Sequence, residues 1–263
     1  MPAFVRKGAP ALLGAGTLCA ALLLTACAHP APTPRPPAAT PAKAPASPAA
    51  QGPSGEARAT DARPRSVPHI PGLGPRTQAR VPDGTTQVLV VTGATENSNT
   101  ATAVLHQRAA GGRWYEAGGP WSAHNALKGW TADHSAGDLR TPIGVYRIGD
   151  AGGRLPDPGA RLPYDEDPEF AISGTGFRGE PLEGSFDHVI AIDYNRVPGR
   201  TPLDKERPLG ADKGGGVWIH VDHGGPTQAC VALHRDDLRA LLLALDPAAE
   251  PVVVMGPAPE LAR

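Results

Sequence analysis

Cysteine, aromatic side chains, net charge and long apolar runs are all scarce in this 263-residue chain, and each scarcity excludes something. Only three cysteines occur, at positions 19, 27 and 230, too few for a disulfide-built scaffold. A formal charge of −1 gives no electrostatic reason to expect nucleic acid or a strongly acidic partner. The one extended apolar run, Ala9 to Leu24, is too short and too rich in Gly and Ala for a membrane span, which needs about 20 apolar residues. No internal repeat is visible. What is abundant is glycine (32) and proline (31), beside 5% aromatics. That imbalance predicts one ordered domain plus a loose segment rather than a single uniform fold.

The N-terminus sets Arg6 and Lys7 before the apolar run and closes it with Leu24-Thr25-Ala26-Cys27. Basic start, apolar core and small residues before a cut make a secretory signal. The last four residues resemble the lipobox of bacterial lipoproteins, which implies cleavage after residue 26 and acylation of Cys27. Each buried methylene contributes about 0.8 kcal/mol, so two or more chains anchor stably to a membrane. The expected location is the outer face of the cytoplasmic membrane. Residues 27–76 are dominated by Ala and Pro, as in Ala31-Pro32-Thr33-Pro34, and read as a semi-rigid tether. At roughly 3.1 Å per residue, about fifty residues reach on the order of 100 Å.

The expected domain, residues 77–257, is mainly β. Strands are predicted over 87–92, 144–148, 188–193, 217–220 and 251–255, and a hairpin over 102–117 turning at Gly111-Gly112. One helix is clear: Leu238, Leu241, Leu242 and Leu245 repeat at i, i+3, i+4, i+7. Many short strands with one or two helices predict a mixed β-sandwich. Residues 150–185 read as a loop-rich insertion and 258–263 as a tail.

With Cys19 removed and Cys27 acylated, Cys230 is the one thiol expected in the mature chain. A lone thiol outside the cytoplasm is either buried and inert or kept for its reactivity. His220 stands ten residues upstream, with a Gly/Pro loop (Gly224-Gly225-Pro226) between them. Thiol and imidazole together make cysteine nucleophilic catalysis: the imidazole takes the thiol proton and the sulfur attacks a carbonyl carbon. Zinc is the competing reading, because His220-x-x-His223 with Cys230 offers N and S ligands. On a regular strand, however, i and i+3 point to opposite faces, and no metal is expected. His223 is expected in solvent, with an orienting role toward His220 as the alternative, and His234 at the surface or as a cap.

The run Trp218-Ile219-His220-Val221-Asp222-His223-Gly224-Gly225-Pro226-Thr227-Gln228-Ala229-Cys230-Val231-Ala232-Leu233 resembles the catalytic segment of the YkuD-type L,D-transpeptidases. Gly137 to Tyr146 and Val189 to Asn195 resemble two further segments of one branch of that family, in the same order. The resemblance implies a β-sandwich and a cofactor-free acyl transfer. The enzyme attacks the carbonyl between diaminopimelate and D-Ala of a peptidoglycan stem peptide, forms a thioester, and passes the acyl group to a neighbouring amine as a 3→3 cross-link. Water as acceptor makes the same site an L,D-carboxypeptidase; a wall-binding lipoprotein with little catalysis is the non-enzymatic alternative. The class is known for acylation by carbapenems. By position, Cys230 is the nucleophile and His220 the base, Thr227 positions the loop, and the Ala229–Cys230 backbone helps to hold the oxyanion. Two residues depart from the pattern. Gln228 stands where many members carry a His, which leaves the base to His220. Ala229 replaces a Gly; a positive φ there would cost on the order of 1 kcal/mol, and a negative φ nothing.

Overall fold

A computed structural model describes residues 66–263; the expected signal, Cys27 and most of the tether lie outside the described residues. In chain order the elements are α1 (Pro75–Gln78), β1 (Gln87–Gly93), β2 (Thr100–Arg108), β3 (Trp114–His124), β4 (Trp130–Thr131), β5 (Thr141–Pro142), β6 (Gly144–Arg147) and β7 (Ala151–Gly153). They continue with β8 (Tyr164–Glu166), β9 (Val189–Ala191), β10 (Trp218–Val221), β11 (Val231–Leu233), α2 (Arg235–Ala244), β12 (Val252–Pro257) and α3 (Ala258–Leu261). The domain is mainly β, as expected.

Ten strands form one mixed sheet in the order β6-β12-β1-β2-β3-β11-β10-β9-β7-β8. Alternation along β1 and β12 explains the layering, because successive side chains leave a strand on opposite faces. Leu89 and Val91 of β1, with Val253 and Met255 of β12, join the main core. There they meet Ile190, Ile219, Val231 and Leu233 from the far half of the sheet, so the sheet curls around one interior. Val88, Val90, Val252 and Val254 face the other way, into a second core with Ile70, Leu73, Trp114 and Leu261. The packed domain therefore takes in more chain than the expected 77–257. Ile70 and Leu73 are buried ahead of it, and the expected tail is α3, whose Leu261 carbonyl accepts the Gly74 N–H at 2.8 Å. Pro-rich spacing at one end and shortness at the other hide both segments from a periodicity reading.

α2 forms where its leucines repeat. Leu238, Leu241 and Leu242 are fully buried, each contributing about 1.5–3 kcal/mol; Leu241→Ala would cost about 2–5 kcal/mol. His234 caps the N-terminus by accepting the Asp236 N–H at 3.4 Å, and Asp236 and Asp237 complement the helix dipole. The 150–185 stretch is not wholly irregular: β7 and β8 extend the sheet edge next to β9.

Candidate active site

β10 and β11 are sheet neighbours and parallel, with Ile219 opposite Val231 and His220 opposite Ala232. Only residues 222–230 connect them, fewer than the dozen or more a parallel crossover normally takes. The loop manages this by borrowing partners from the segment after β3. Thr227 N–H donates to the Asn125 carbonyl (3.0 Å), and the Thr227 carbonyl accepts the Leu127 N–H (2.9 Å). At the start of the loop, Asp222 accepts the His124 Nδ1–H at 3.0 Å and the Gly224 N–H at 3.0 Å.

Parallel pairing carries the chain back to the beginning of β10 before β11 starts, so Cys230 arrives beside Trp218. The Trp218 N–H donates to Sγ at 3.4 Å, and the thiol donates to the Gly216 carbonyl at 3.6 Å. Trp218 and His220 are two residues apart on one strand and so share a face. Cys230 and His220 accordingly line the same cleft, of about 450 Å³.

His220 is almost wholly buried (3% exposed). Its Nδ1–H donates to the Val221 carbonyl at 2.9 Å. A carbonyl can only accept, so the proton sits on Nδ1 and the Nε2 lone pair is free to act as a base. Burial pulls this imidazole down to about 4, against the Val221 bond, which raises it; His223 lowers it further and Asp222 raises it. Burial likewise pushes the Cys230 thiol up to about 11, against the Trp218 N–H. Low dielectric disfavours both charged forms, and the resting pair is therefore neutral thiol and neutral imidazole.

Thr227 is buried and donates its hydroxyl to the Cys230 carbonyl at 2.6 Å, closing the turn that carries the sulfur. Among the described residues the N–H groups of Ala229 and Cys230 meet no protein acceptor, and both residues line the cleft. Among the described residues the non-glycine positions with positive φ are Leu139, Asn195 and Glu250. Ala229 is not one of them, so the alanine adds no left-handed strain. Gln228 is exposed at the cleft rim.

Opposite the thiol, Gly214, Gly215 and Gly216 form a wall with φ of 67°, 146° and 64°. Side chains rarely adopt this backbone, and a Cβ at Gly214 would lie 2.9 Å from His134 Nε2. His134 is a cleft residue that sequence reasoning missed. Asp138 holds it through Nδ1 at 3.0 Å and also accepts the Ser135 N–H at 2.9 Å. Asp138 belongs to a segment already singled out, and the i, i+4 spacing to His134 was the available signal.

His223 departs from expectation. Its side chain is only 6% exposed, and its ring stacks on His220 with centroids 5.8 Å apart and planes 13° from parallel. β10 ends at Val221, so His223 lies two residues past the strand, in the loop, and the strand parity that would separate the two rings does not extend to it. Phe186 meets the edges of both Trp218 and His220. Asp193, Tyr194 and Asn195 do not line the cleft; Asn195 braces the glycine wall by donating to the Gly214 carbonyl at 2.6 Å. Among the described residues no group of three His, Cys, Asp or Glu side chains is arranged to hold a metal.

A profile of the YkuD family, described as the L,D-transpeptidase catalytic domain, matches residues 99–254. The three segments singled out in the sequence all fall within that range. No curated protein and no solved structure gives a match.

Proposed function

The chain belongs to the YkuD family of L,D-transpeptidase catalytic domains, and from that premise we propose that it forms 3→3 peptidoglycan cross-links through a Cys230 acyl-enzyme. The observation that carries the reading is the sharing of one cleft by Cys230 and His220, brought there from adjacent parallel strands.

With both groups neutral at rest, the first step is general-base catalysis. His220 Nε2 takes the thiol proton as Sγ attacks the carbonyl between diaminopimelate and D-Ala of the donor stem. The Nδ1 bond to Val221 keeps the ring in the tautomer that can do this. The oxyanion is met by N–H groups of the Ala229–Cys230 backbone, which Thr227 holds in place through the Cys230 carbonyl. Collapse returns the proton from His220 to the departing D-Ala nitrogen and leaves a thioester. An acceptor stem amine then attacks the thioester, gives its proton to His220, and the thiol is regenerated. Water in place of the amine makes the same cycle a carboxypeptidase.

The lipobox at Cys27 and the Pro/Ala-rich tether support a lipid-anchored enzyme working from the outer face of the membrane into the wall. Intact-mass measurement after exposure to a carbapenem tests the chemistry. The expected result is one covalent adduct on the wild-type chain, lost in Cys230→Ala. No adduct on the wild type would favour a non-catalytic stem-peptide binder.

A further inference from the structure

The loop-rich insertion brings a carboxylate against His223, the neighbour of His220. Residues 174–182 form a tight turn back on themselves: Gly176 N–H donates to the Glu180 carbonyl (2.8 Å), Leu182 N–H donates to the Gly174 carbonyl (3.1 Å), and Thr175 bridges to Pro181. The turn aims the Glu180 side chain at the loop that carries Cys230. Its Oε2 accepts the Arg178 N–H at 2.7 Å, and its Oε1 lies 3.3 Å from His223 Nδ1.

The slot that receives this carboxylate exists because two residues lack side chains. A Cβ on Gly225 would lie 1.8 Å from Glu180 Oε1, and a Cβ on Gly176 would lie 2.2 Å from it. The Glu180 side chain is left 11% exposed. A carboxylate withdrawn from water this far costs stability unless something compensates it. Backbone N–H donation, its own and that of Arg178, is the chief influence holding Glu180 below the usual carboxylate range, so the buried group is an anion. It ends against His223, whose ring lies flat on His220.

His220 is the place where a positive charge forms during turnover. The cleft lining contains no Lys, Arg, Asp or Glu, and the anion felt at the ring is Asp222, just outside that lining. The ionisable groups facing the ring are the Cys230 thiol, His223 and Asp222, and Asp222 is engaged by His124. Glu180, one ring away through His223, is a second negative charge beside that of Asp222.

We infer that Glu180 and His223 are positioning residues for acyl transfer: Glu180 clamps His223 flat against His220 and sets a buried negative charge beside the imidazolium that forms there. The inference rests on the reading of Cys230 as nucleophile and His220 as base. It also assigns a task to the insertion, which supplies the electrostatic floor of the base. A unit charge acting over a distance on the order of 8 Å at an effective dielectric near 20 changes the rate on the order of tenfold or somewhat more.

The test uses the full chain and follows carbapenem acylation of Cys230 as a function of pH, with thermal unfolding measured alongside. Glu180→Gln removes the charge and keeps the shape. The expected result is acylation about tenfold slower at neutral pH, with the acid limb of the profile moved down by about one pH unit. Glu180→Asp keeps the charge, one methylene farther away, and is expected to restore most of the rate and the position of the limb. A purely structural role predicts something else: rate and unfolding temperature fall together in Glu180→Gln while the limb stays in place. That result overturns the inference. Should Glu180→Gln fail to unfold cooperatively, His223→Phe carries the test, and a limb coincident with wild type there overturns it. A wild-type chain that takes up no carbapenem removes the base itself and the inference with it. An adduct on wild type with an unmoved limb in Glu180→Gln, or in His223→Phe where that variant stands in for it, removes the inference alone.

Discussion

Simple alkylation of Cys230 should be slow at neutral pH and should climb steadily as pH rises. Burial places the thiol near 11 and the imidazole near 4, so a preformed thiolate–imidazolium pair is disfavoured from both sides. At pH 7.5 a thiol titrating at 11 is ionised to about three parts in ten thousand, whereas a free cysteine near 8.5 is about one-tenth ionised. Iodoacetamide, which offers no carbonyl for the site to polarise, should react at Cys230 roughly 300-fold more slowly than with a model thiol. The rate should rise about tenfold per pH unit from 7 to 10 without a plateau. Carbapenem acylation should behave differently, because there His220 removes the proton within the transition state. It should be nearly flat from pH 6 to 9, with a solvent deuterium isotope effect of about 2, and His220→Ala should slow it by about 10²–10⁴-fold. Quantitative mass spectrometry of the Cys230 peptide separates this thiol from Cys19 and Cys27. An alkylation rate already at its plateau by pH 7 would refute the neutral-pair argument.

Three further outcomes follow from other parts of the site. Thr227→Val keeps the volume but leaves the Cys230 carbonyl without its 2.6 Å donor; urea unfolding should show about 1–3 kcal/mol lost, with carbapenem acylation slower, and no change in either would sink the positioning role. Ala229→Gly should leave the acylation rate within about twofold, because residue 229 needs no left-handed backbone, while costing up to about 1 kcal/mol of stability through chain entropy; a large gain in rate would contradict this. His220 should also make the fold acid-sensitive. Above its ordinary 6.5 folded and unfolded chains are both neutral there and stability is full. Between 6.5 and about 4 only the unfolded chain takes the proton. This group then withdraws about 3 kcal/mol by pH 4 and nothing more below it. Urea titrations at pH 7, 5.5 and 4 measure the loss, and a His220→Phe chain should show a shallower decline.

Local pattern carried much of the architecture into plain view. The apolar run at 87–92, the Gly111-Gly112 turn and the leucine spacing of 238–245 each state their element without reference to the rest of the chain, and β1, the β2–β3 hairpin and α2 stand where those signals lie. The meeting of Cys230 and His220 in one cleft was foreshadowed for a different reason: they sit in one short stretch whose order resembles a family. What stayed hidden depends on partners distant in sequence. Ile70 and Leu73 count as core only because α3 and β12 cover them, nearly two hundred residues later. His223 was expected in solvent because it reads as a loop residue after the strand, and the loop instead turns its ring back over His220. Glu180 gave no signal, since a single Glu in a Gly-rich loop looks solvated until Gly225 is seen to make room for it. His134 was readable through its spacing to Asp138, yet that spacing also describes an ordinary surface turn.

The bond from His220 Nδ1 to the Val221 carbonyl has an evolutionary side. An imidazole aimed by an aspartate or an asparagine can be disarmed by one codon change at the partner. Here the aiming oxygen belongs to the peptide link of the next residue, so every amino acid at 221 supplies it. Surveys that hunt for a third catalytic side chain by its variation between genomes will find none at this position, and drift at 221 will leave the ring pointing the same way.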